Sequence, residues 1–157
     1  MKHNFQTNSE VFLYFIKSDF KEILLRLCNK ILNESENSLI NLRNDSELLE
    51  VEKYLWTKDK ENFLPHCIFN ENISELDNLI LFKGSYEKMQ KLSRFKKLII
   101  SPSVKISNFK IFEKFLLFSE KPLSKETLKT LRKKLSKNKI KHKIFYEYDN
   151  FKWKLVN

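Results

Sequence analysis

Short apolar runs alternate along this chain with segments in which apolar residues recur at helical spacing. The runs have the length and the continuous apolar character of strands that are covered on both faces of a sheet. They lie near residues 10–17, 38–43, 79–83, 97–101 and 140–148. A strand, helix, strand order favours parallel pairing through helical crossovers. We therefore predict an α/β fold, one Rossmann-like domain over residues 1–157 with a mostly parallel central sheet flanked by helices on both faces.

Helical periodicity follows the first two runs and returns in the second half of the chain. The expected N-caps of the first two helices are Ser18 or Asp19 and Asp45 or Ser46. A third helix is predicted over residues 107–119, where apolar side chains have helical spacing: Phe109, Phe112, Phe115 and Leu116. A fourth is predicted from Ser124 to Asn138, and residues 84–95 are predicted as a short helix or loop.

Gly84 is the single glycine of the chain. Phosphate-binding loops need several glycines, because the backbone must approach the phosphates closely. The predicted sheet therefore has no nucleotide-binding loop. His66 and Cys67 are adjacent, and adjacent residues rarely converge on one ion. His3 and His142 show no ligand spacing, and no nucleophile elbow is present. We expect no cofactor, no metal site and no catalytic role.

The positive charge of the chain is confined to its last third. Residues 1–100 carry 15 Lys or Arg and 15 Asp or Glu, whereas residues 101–157 carry 15 and 5. The second segment therefore accounts for the whole net charge of +10. Codon bias toward lysine would act evenly along the chain and does not explain this asymmetry. It indicates a basic surface that faces an acidic partner.

The predicted helix 124–138 combines a buried stripe with a basic ridge. Leu128, Leu131 and Leu135 have the spacing of residues that face a core. Beside them, lysines recur at every fourth position, with Arg132 between stripe and ridge: Lys125, Lys129, Lys133 and Lys137. Like charges at this spacing repel each other and lower helix stability. The ridge is either a solvated lysine face or a binding site for carboxylates.

A second pattern joins a Leu-Trp pair, six residues and an aromatic-apolar-Pro-His sequence: Leu55-Trp56 and Phe63-Leu64-Pro65-His66. Trp56 is expected at the end of the second helix and Phe63 on the following loop, where Pro65 stiffens the backbone. The two rings then share one face. They are either part of the core or an exposed apolar patch that docks a partner.

These features together resemble the chi subunit of bacterial DNA polymerase III holoenzyme, in which a Leu-Trp pair, six residues and Phe-Val/Leu-Pro-His occur in this order. The N-terminal strand, helix and strand, the basic C-terminal helix and a last strand followed by Trp153 also come in the family's order. The resemblance implies a non-catalytic accessory subunit. It would link the clamp loader to the single-stranded-DNA-binding protein, SSB, and contact DNA only indirectly.

The resemblance also assigns the aromatic motif to docking. Trp56 and Phe63 would bind the psi subunit of the clamp loader, where one exists, or a helicase. Leu55, Pro65 and His66 would have structural roles, with His66 bonded to backbone groups of the loop.

For the basic helix, the resemblance implies capture of the acidic C-terminal tail of SSB, which ends in an aromatic residue with a free carboxylate. The expected binding residues are Lys129 and Lys133, helped by Arg132 and Lys137. Some chi proteins place an aromatic residue where this chain has Ser136. The apolar wall of the pocket is therefore expected from Phe145, Tyr146 or Trp153.

Direct binding of single-stranded nucleic acid is the alternative function. Four aromatic residues of the basic last third would form its stacking platform: Tyr146, Tyr148, Phe151 and Trp153. The sequence has no RNA-recognition, KH or OB signature, which favours the accessory-subunit interpretation. No run of about 18 apolar residues occurs, and Met1–Asn4 is not followed by the apolar h-region of a signal peptide. We therefore expect a cytoplasmic protein without membrane contact.

Overall fold

The computed structural model describes residues 9–58, 64–70, 73–92, 94–105, 109 and 111–156. The strands are β1 (Glu10–Phe15), β2 (Ser38–Leu42), β3 (Cys67–Ile68), β4 (Leu79–Lys83), β5 (Lys97–Ile100), β6 (Lys114–Ser119), β7 (Lys141–Asp149) and β8 (Lys152–Val156). The α-helices are α1 (Phe20–Asn33), α2 (Asp45–Thr57) and α3 (Lys125–Lys137), and a 3₁₀ helix spans Tyr86–Lys91. None of these helices is long and apolar enough to cross a lipid bilayer.

All eight strands belong to one sheet with the order β3, β4, β2, β5, β6, β1, β7, β8. Each neighbouring pair is parallel except β7 and β8, which form an antiparallel hairpin at one edge. The predicted α/β fold with a mostly parallel sheet is therefore confirmed. All five predicted strands are present, with ends within about two residues of the expected positions.

Different helices cover the two faces of the sheet. Ile23 of α1 and Leu48 of α2 pack in one cluster, with Phe12 and Tyr14 of β1 against it; we call this side the α1 face. The other side, the α3 face, carries the 3₁₀ helix and the leucines of α3. The connections through α1 and α2 run toward β3, whereas those through the 3₁₀ helix and α3 run toward β8. Crossovers of one handedness then place their helices on opposite faces.

The predicted helix over residues 107–119 is wrong, because its second half forms β6, which pairs with β5 and β1. Phe109, Phe112 and Phe115 are buried together nevertheless. The ring centroid of Phe115 lies 5.5 Å from that of Phe109 and 6.0 Å from that of Phe112. An irregular segment next to a strand thus produces helical spacing without a helix. Short apolar runs do not distinguish a buried strand from a buried helix.

The helix caps were partly mispredicted. Asp19 caps α1 as expected, with its Oδ1 2.8 Å from the Lys21 amide nitrogen. The N-cap of α2 is Asn44, which accepts a hydrogen bond of 2.9 Å from the Glu47 amide, and not Asp45 or Ser46. Asn44 has the extended backbone that a cap requires, because it follows β2 so closely.

Candidate basic-ridge and docking surfaces

Helix α3 presents the predicted stripe to the α3 face of the sheet. Leu135 is fully buried, and Leu128 and Leu131 pack with Leu13, Phe15 and Ile144 of the strands below. The Oγ of Ser124 accepts a hydrogen bond from the Thr127 amide and so begins the helix. Anchored in this way, α3 turns its basic side to solvent.

The basic ridge is exposed, and Arg132 is half-buried beside it. The exposed side chains are Lys125, Lys129, Lys133 and Lys137. Within the described part of the chain, these four lysines form no ion pair, and neither does Arg132. Glu126 is the one acidic residue of α3. The ridge therefore retains unneutralised cations, whose mutual repulsion an external carboxylate would relieve.

Only one of the three expected wall residues shares a face with α3. Tyr146 packs with Leu128 and Val156 on the α3 face, and its ring is stacked on Phe15 at a centroid distance of 4.7 Å. Phe145 and Trp153 lie on the α1 face, against Tyr14. The expectation that they could line a pocket beside α3 is wrong, because consecutive residues of a strand point to opposite faces.

The same alternation divides the stacking platform required for direct nucleic-acid binding. Tyr146 belongs to the α3 face, whereas Phe151 and Trp153 pack with the α1 cluster. These rings therefore do not form one surface. The structure removes the geometric basis on which that alternative was suggested.

The docking motif begins at the end of α2. Trp56 is 45% exposed, whereas its neighbour Leu55 is 2% exposed. Leu49, two helical turns before Trp56, is 60% exposed on the same side of α2. The rings of Trp56 and His66 lie 4.5 Å apart between centroids. Phe63 lies outside the described residues, so its place relative to Trp56 stays a prediction.

His66 is tied to the loop that leaves the motif. Its Nδ1 lies 2.8 Å from the carbonyl oxygen of Leu64, a distance at which the ring donates a hydrogen bond. Leu64 is buried in the same cluster as Leu55. The loop after Pro65 is thereby anchored to the core close to the exposed ring of Trp56.

A pocket of about 270 Å³ lies where β1, β2, β5 and β6 end. Nucleotides bind at this edge of doubly wound folds. Here the lining includes four carboxylates: Asp19, Glu47, Glu50 and Glu120. Glu47 accepts a hydrogen bond from Ser101, and Lys21 Nζ lies 2.6 Å from Glu50 Oε1. These carboxylates outnumber the two cations of the lining, Lys21 and Arg43, and carboxylates repel phosphate groups, so this pocket does not suit a nucleotide. Among the described residues, no group of three or more His, Cys, Asp or Glu side chains could hold a metal ion.

Glu147 of β7 was missed by the sequence analysis. It is 2% exposed although it lies in the basic last third of the chain. Oε1 accepts hydrogen bonds from the amides of Lys17 (2.6 Å) and Ser18 (2.7 Å). Oε2 accepts from Ser18 Oγ (2.6 Å) and the Phe151 amide (2.9 Å). Burial alone would raise the pKa of Glu147, but these hydrogen bonds lower it overall. The carboxylate joins the turn after β1 to the turn before β8.

Comparison with known proteins gives the family. The family model for the DNA polymerase III chi subunit, HolC, matches residues 9–135. The match includes β1, the Trp56 motif and most of α3, and it stops before Lys137 and the β7–β8 hairpin. A search of curated proteins found no match. Because the family model covers most of the chain, this protein belongs to the DNA polymerase III chi subunit family and is a DNA replication protein.

Proposed function

We propose that this chain is a non-catalytic accessory subunit that links the clamp loader of DNA polymerase III to SSB. It binds the acidic C-terminal tail of SSB through Lys129, Lys133, Arg132 and Lys137, and it works in the cytoplasm without touching a membrane. The observation that carries this proposal is the exposed basic ridge on a well-anchored helix, whose lysines form no ion pair with any residue that the structure describes. Carboxylates of a tail peptide supply the missing counter-charges.

We place the apolar part of the tail site between α3 and the β7–β8 hairpin. Tyr146 and Val156 pack there with Leu128, and Lys154 lies opposite Tyr146 in the hairpin. A C-terminal aromatic ring bound there would contact Tyr146, while its carboxylate reaches the cations of α3.

The exposed end of α2 is the second binding surface of the proposal. Trp56, with Phe63, docks the psi subunit of the clamp loader or, where psi is missing, a helicase. The exposure of Trp56 and Leu49 on one side of the helix supports this, because large exposed apolar side chains on one patch are typical of docking sites. DNA is then contacted only through SSB and the clamp loader.

Fluorescence anisotropy with a labelled peptide tests the tail site. The peptide has four aspartates followed by a C-terminal phenylalanine, and it is made as the free acid and as the amide. We expect the free acid to bind with a Kd of roughly 10 μM, in proportion to so few contacts, and the amide to bind at least about tenfold more weakly. The double variant Lys129→Ala/Lys133→Ala should bind the free acid about tenfold more weakly or worse.

The matched control is Lys53→Ala/Lys88→Ala, which removes the same charge from two exposed lysines outside the last third. It should bind like the unmodified protein. Equal binding of amide and free acid, or normal binding by the α3 variant, would refute the tail site.

A further inference from the structure

Besides the pocket at the strand ends, a cleft lies on the α1 face of the sheet. The basic ridge of α3 is on the opposite face. Its volume is about 360 Å³. Tyr14, Leu116 and Phe118 of the sheet line it together with Ile23 and Leu27 of α1. Phe151 and Trp153, from the turn into β8 and from β8 itself, complete the lining. Among the described helices, none covers β7 and β8 on the α1 face, because α1 crosses from β1 toward β2 and away from β7. The cleft is therefore an open, aromatic site.

The aromatic rings at this cleft stand side by side on the sheet. Tyr14 lies between Phe118 and Phe145, with both centroid distances 5.1 Å and interplanar angles of 16° and 13°. These distances match the spacing of neighbouring strands, about 4.8 Å. Both faces of the Tyr14 ring are thus covered by its neighbours, so a ligand meets ring edges. A nucleobase needs an open ring face to stack on, whereas an inserted side chain packs well against edges.

Two cations lie at the rim of this cleft. The guanidinium carbon of Arg26 is 3.8 Å from the centroid of the Phe151 ring, which holds the side chain over the opening. Lys30 lies one helical turn further along α1 and also lines the cleft. Both side chains are exposed, and neither forms an ion pair within the described residues. The nearby Glu36 is paired with Lys97 at 2.7 Å. The rim therefore attracts anionic groups.

We propose that this cleft binds an acidic segment of a partner protein in which an aromatic side chain is flanked by carboxylates. The aromatic ring enters between α1 and Trp153, where it packs on the positive edges of the stacked rings. The flanking carboxylates pair with Arg26 and Lys30. The carboxylates belong to side chains, so a free C-terminus is not required. The site lies on the opposite face from the α3 ridge, and the two sites can be occupied together.

A capped peptide tests this proposal on the full chain. It has the core Asp-Asp-Phe-Asp-Asp, an acetylated N-terminus bearing the label and an amidated C-terminus. We expect anisotropy to give a Kd of roughly 10 to 100 μM. The charge-reversal variant Arg26→Glu/Lys30→Glu should weaken binding about tenfold or more, because the rim would then repel the peptide. Leu27→Trp, which fills the cleft without changing charge, should also abolish binding, and circular dichroism confirms that each variant folds.

The matched control is Lys129→Glu/Lys133→Glu, which makes the same charge change on the other face. It should bind the capped peptide within about twofold of the unmodified protein, while it loses the free-acid tail peptide. If this control loses the capped peptide and the α1 variant retains it, the cleft proposal is wrong and the α3 site can still stand. If the capped peptide fails to bind, or if a thymidine oligonucleotide is bound instead and released by Arg26→Glu/Lys30→Glu, the proposal is equally overturned.

Discussion

Leu55 and Trp56 are consecutive residues of α2 with opposite surroundings. Leu55 packs in the main core under α1 and β2, whereas nearly half of the Trp56 side chain is in solvent. A buried aromatic residue stabilises the fold, while an exposed one adds little to folding and is available to a partner. The pair therefore allows the two interpretations of the Leu-Trp motif to be separated by a measurement of stability.

We expect Trp56→Ala to lower the free energy of unfolding by only about 1 kcal/mol, which reflects its contact with His66. Leu55→Ala, the matched buried control, should cost about 2 to 5 kcal/mol through lost burial and a residual cavity. Urea denaturation followed by circular dichroism measures both. If Trp56→Ala costs as much as Leu55→Ala, Trp56 is a core residue and the docking surface loses its main support.

At the scale of the element, the start of α2 depends on a residue outside the helix. Asn44 Oδ1 accepts from the Glu47 amide, and the Glu47 side chain accepts from the Arg43 amide at 3.1 Å. This reciprocal arrangement satisfies backbone donors that the first turn of a helix leaves free.

Replacing the cap should affect stability more than replacing its neighbours. Asn44→Ala is expected to cost about 1 kcal/mol, because the Glu47 amide loses its acceptor. Ser46→Ala, within the first turn, should change stability by less than about 0.5 kcal/mol. Thermal or urea unfolding of the two variants checks this. A larger loss for Ser46→Ala would show that the cap lies within the helix after all.

Glu147 joins three elements, and its lowered pKa makes that link sensitive to acid. Its unfolded-state pKa is about 4.3, and a lowered folded-state pKa means that the unfolded chain binds the proton more readily. Its contribution is therefore fully present above about pH 4.3 and is lost as the pH falls through the lower folded-state value. Glu147→Gln should cost about 2 to 3 kcal/mol near pH 7, because an amide group cannot accept all four hydrogen bonds.

The difference in stability between Glu147→Gln and the unmodified protein should shrink as the pH is lowered from 5 toward about 2. Urea midpoints measured across this range, for both proteins, test the expectation. A difference that stays constant over the acidic range would mean that Glu147 does not titrate with folding.

At the scale of the whole molecule, charge is distributed so that residues 1–100 are neutral and the last third carries the net +10. Much of this excess is on the exposed side of α3 and on the β7–β8 hairpin. Long-range attraction between such a surface and an acidic peptide is screened by salt.

Binding of the free-acid tail peptide should therefore weaken about tenfold between roughly 0.05 and 0.3 M NaCl. The Debye length shortens over this range, so salt screens the attraction between the peptide carboxylates and the lysines of the ridge. The Lys129→Ala/Lys133→Ala variant should show a shallower dependence, because fewer ion pairs are left to screen. Anisotropy titrations over a salt series measure both slopes. Equal salt dependences for the two proteins would show that the cations that bind the peptide lie outside α3.

The sequence by itself determined the class of the fold and the character of α3. Strand runs, the alternation with helices and the spacing of Leu128, Leu131 and Leu135 are local properties, because a buried strand or a helix side requires apolar residues at fixed intervals. The concentration of lysine in the last third and the presence of only one glycine are likewise visible without a structure. These features were sufficient to predict a parallel α/β sheet and a basic helix.

The tertiary structure alone decided which side chains meet. Residues 114–119 form a strand because they pair in parallel with β5 on one side and with β1 on the other. Tyr146 packs beside α3, whereas Trp153 lines the cleft on the α1 face, because strand register assigns alternate residues to opposite faces. Glu147 became buried because the distant turn after β1 supplies three donors, from Lys17 and Ser18, while the neighbouring turn supplies the fourth, from Phe151. Register and burial depend on contacts between residues far apart in the chain, and local spacing carries no information about them.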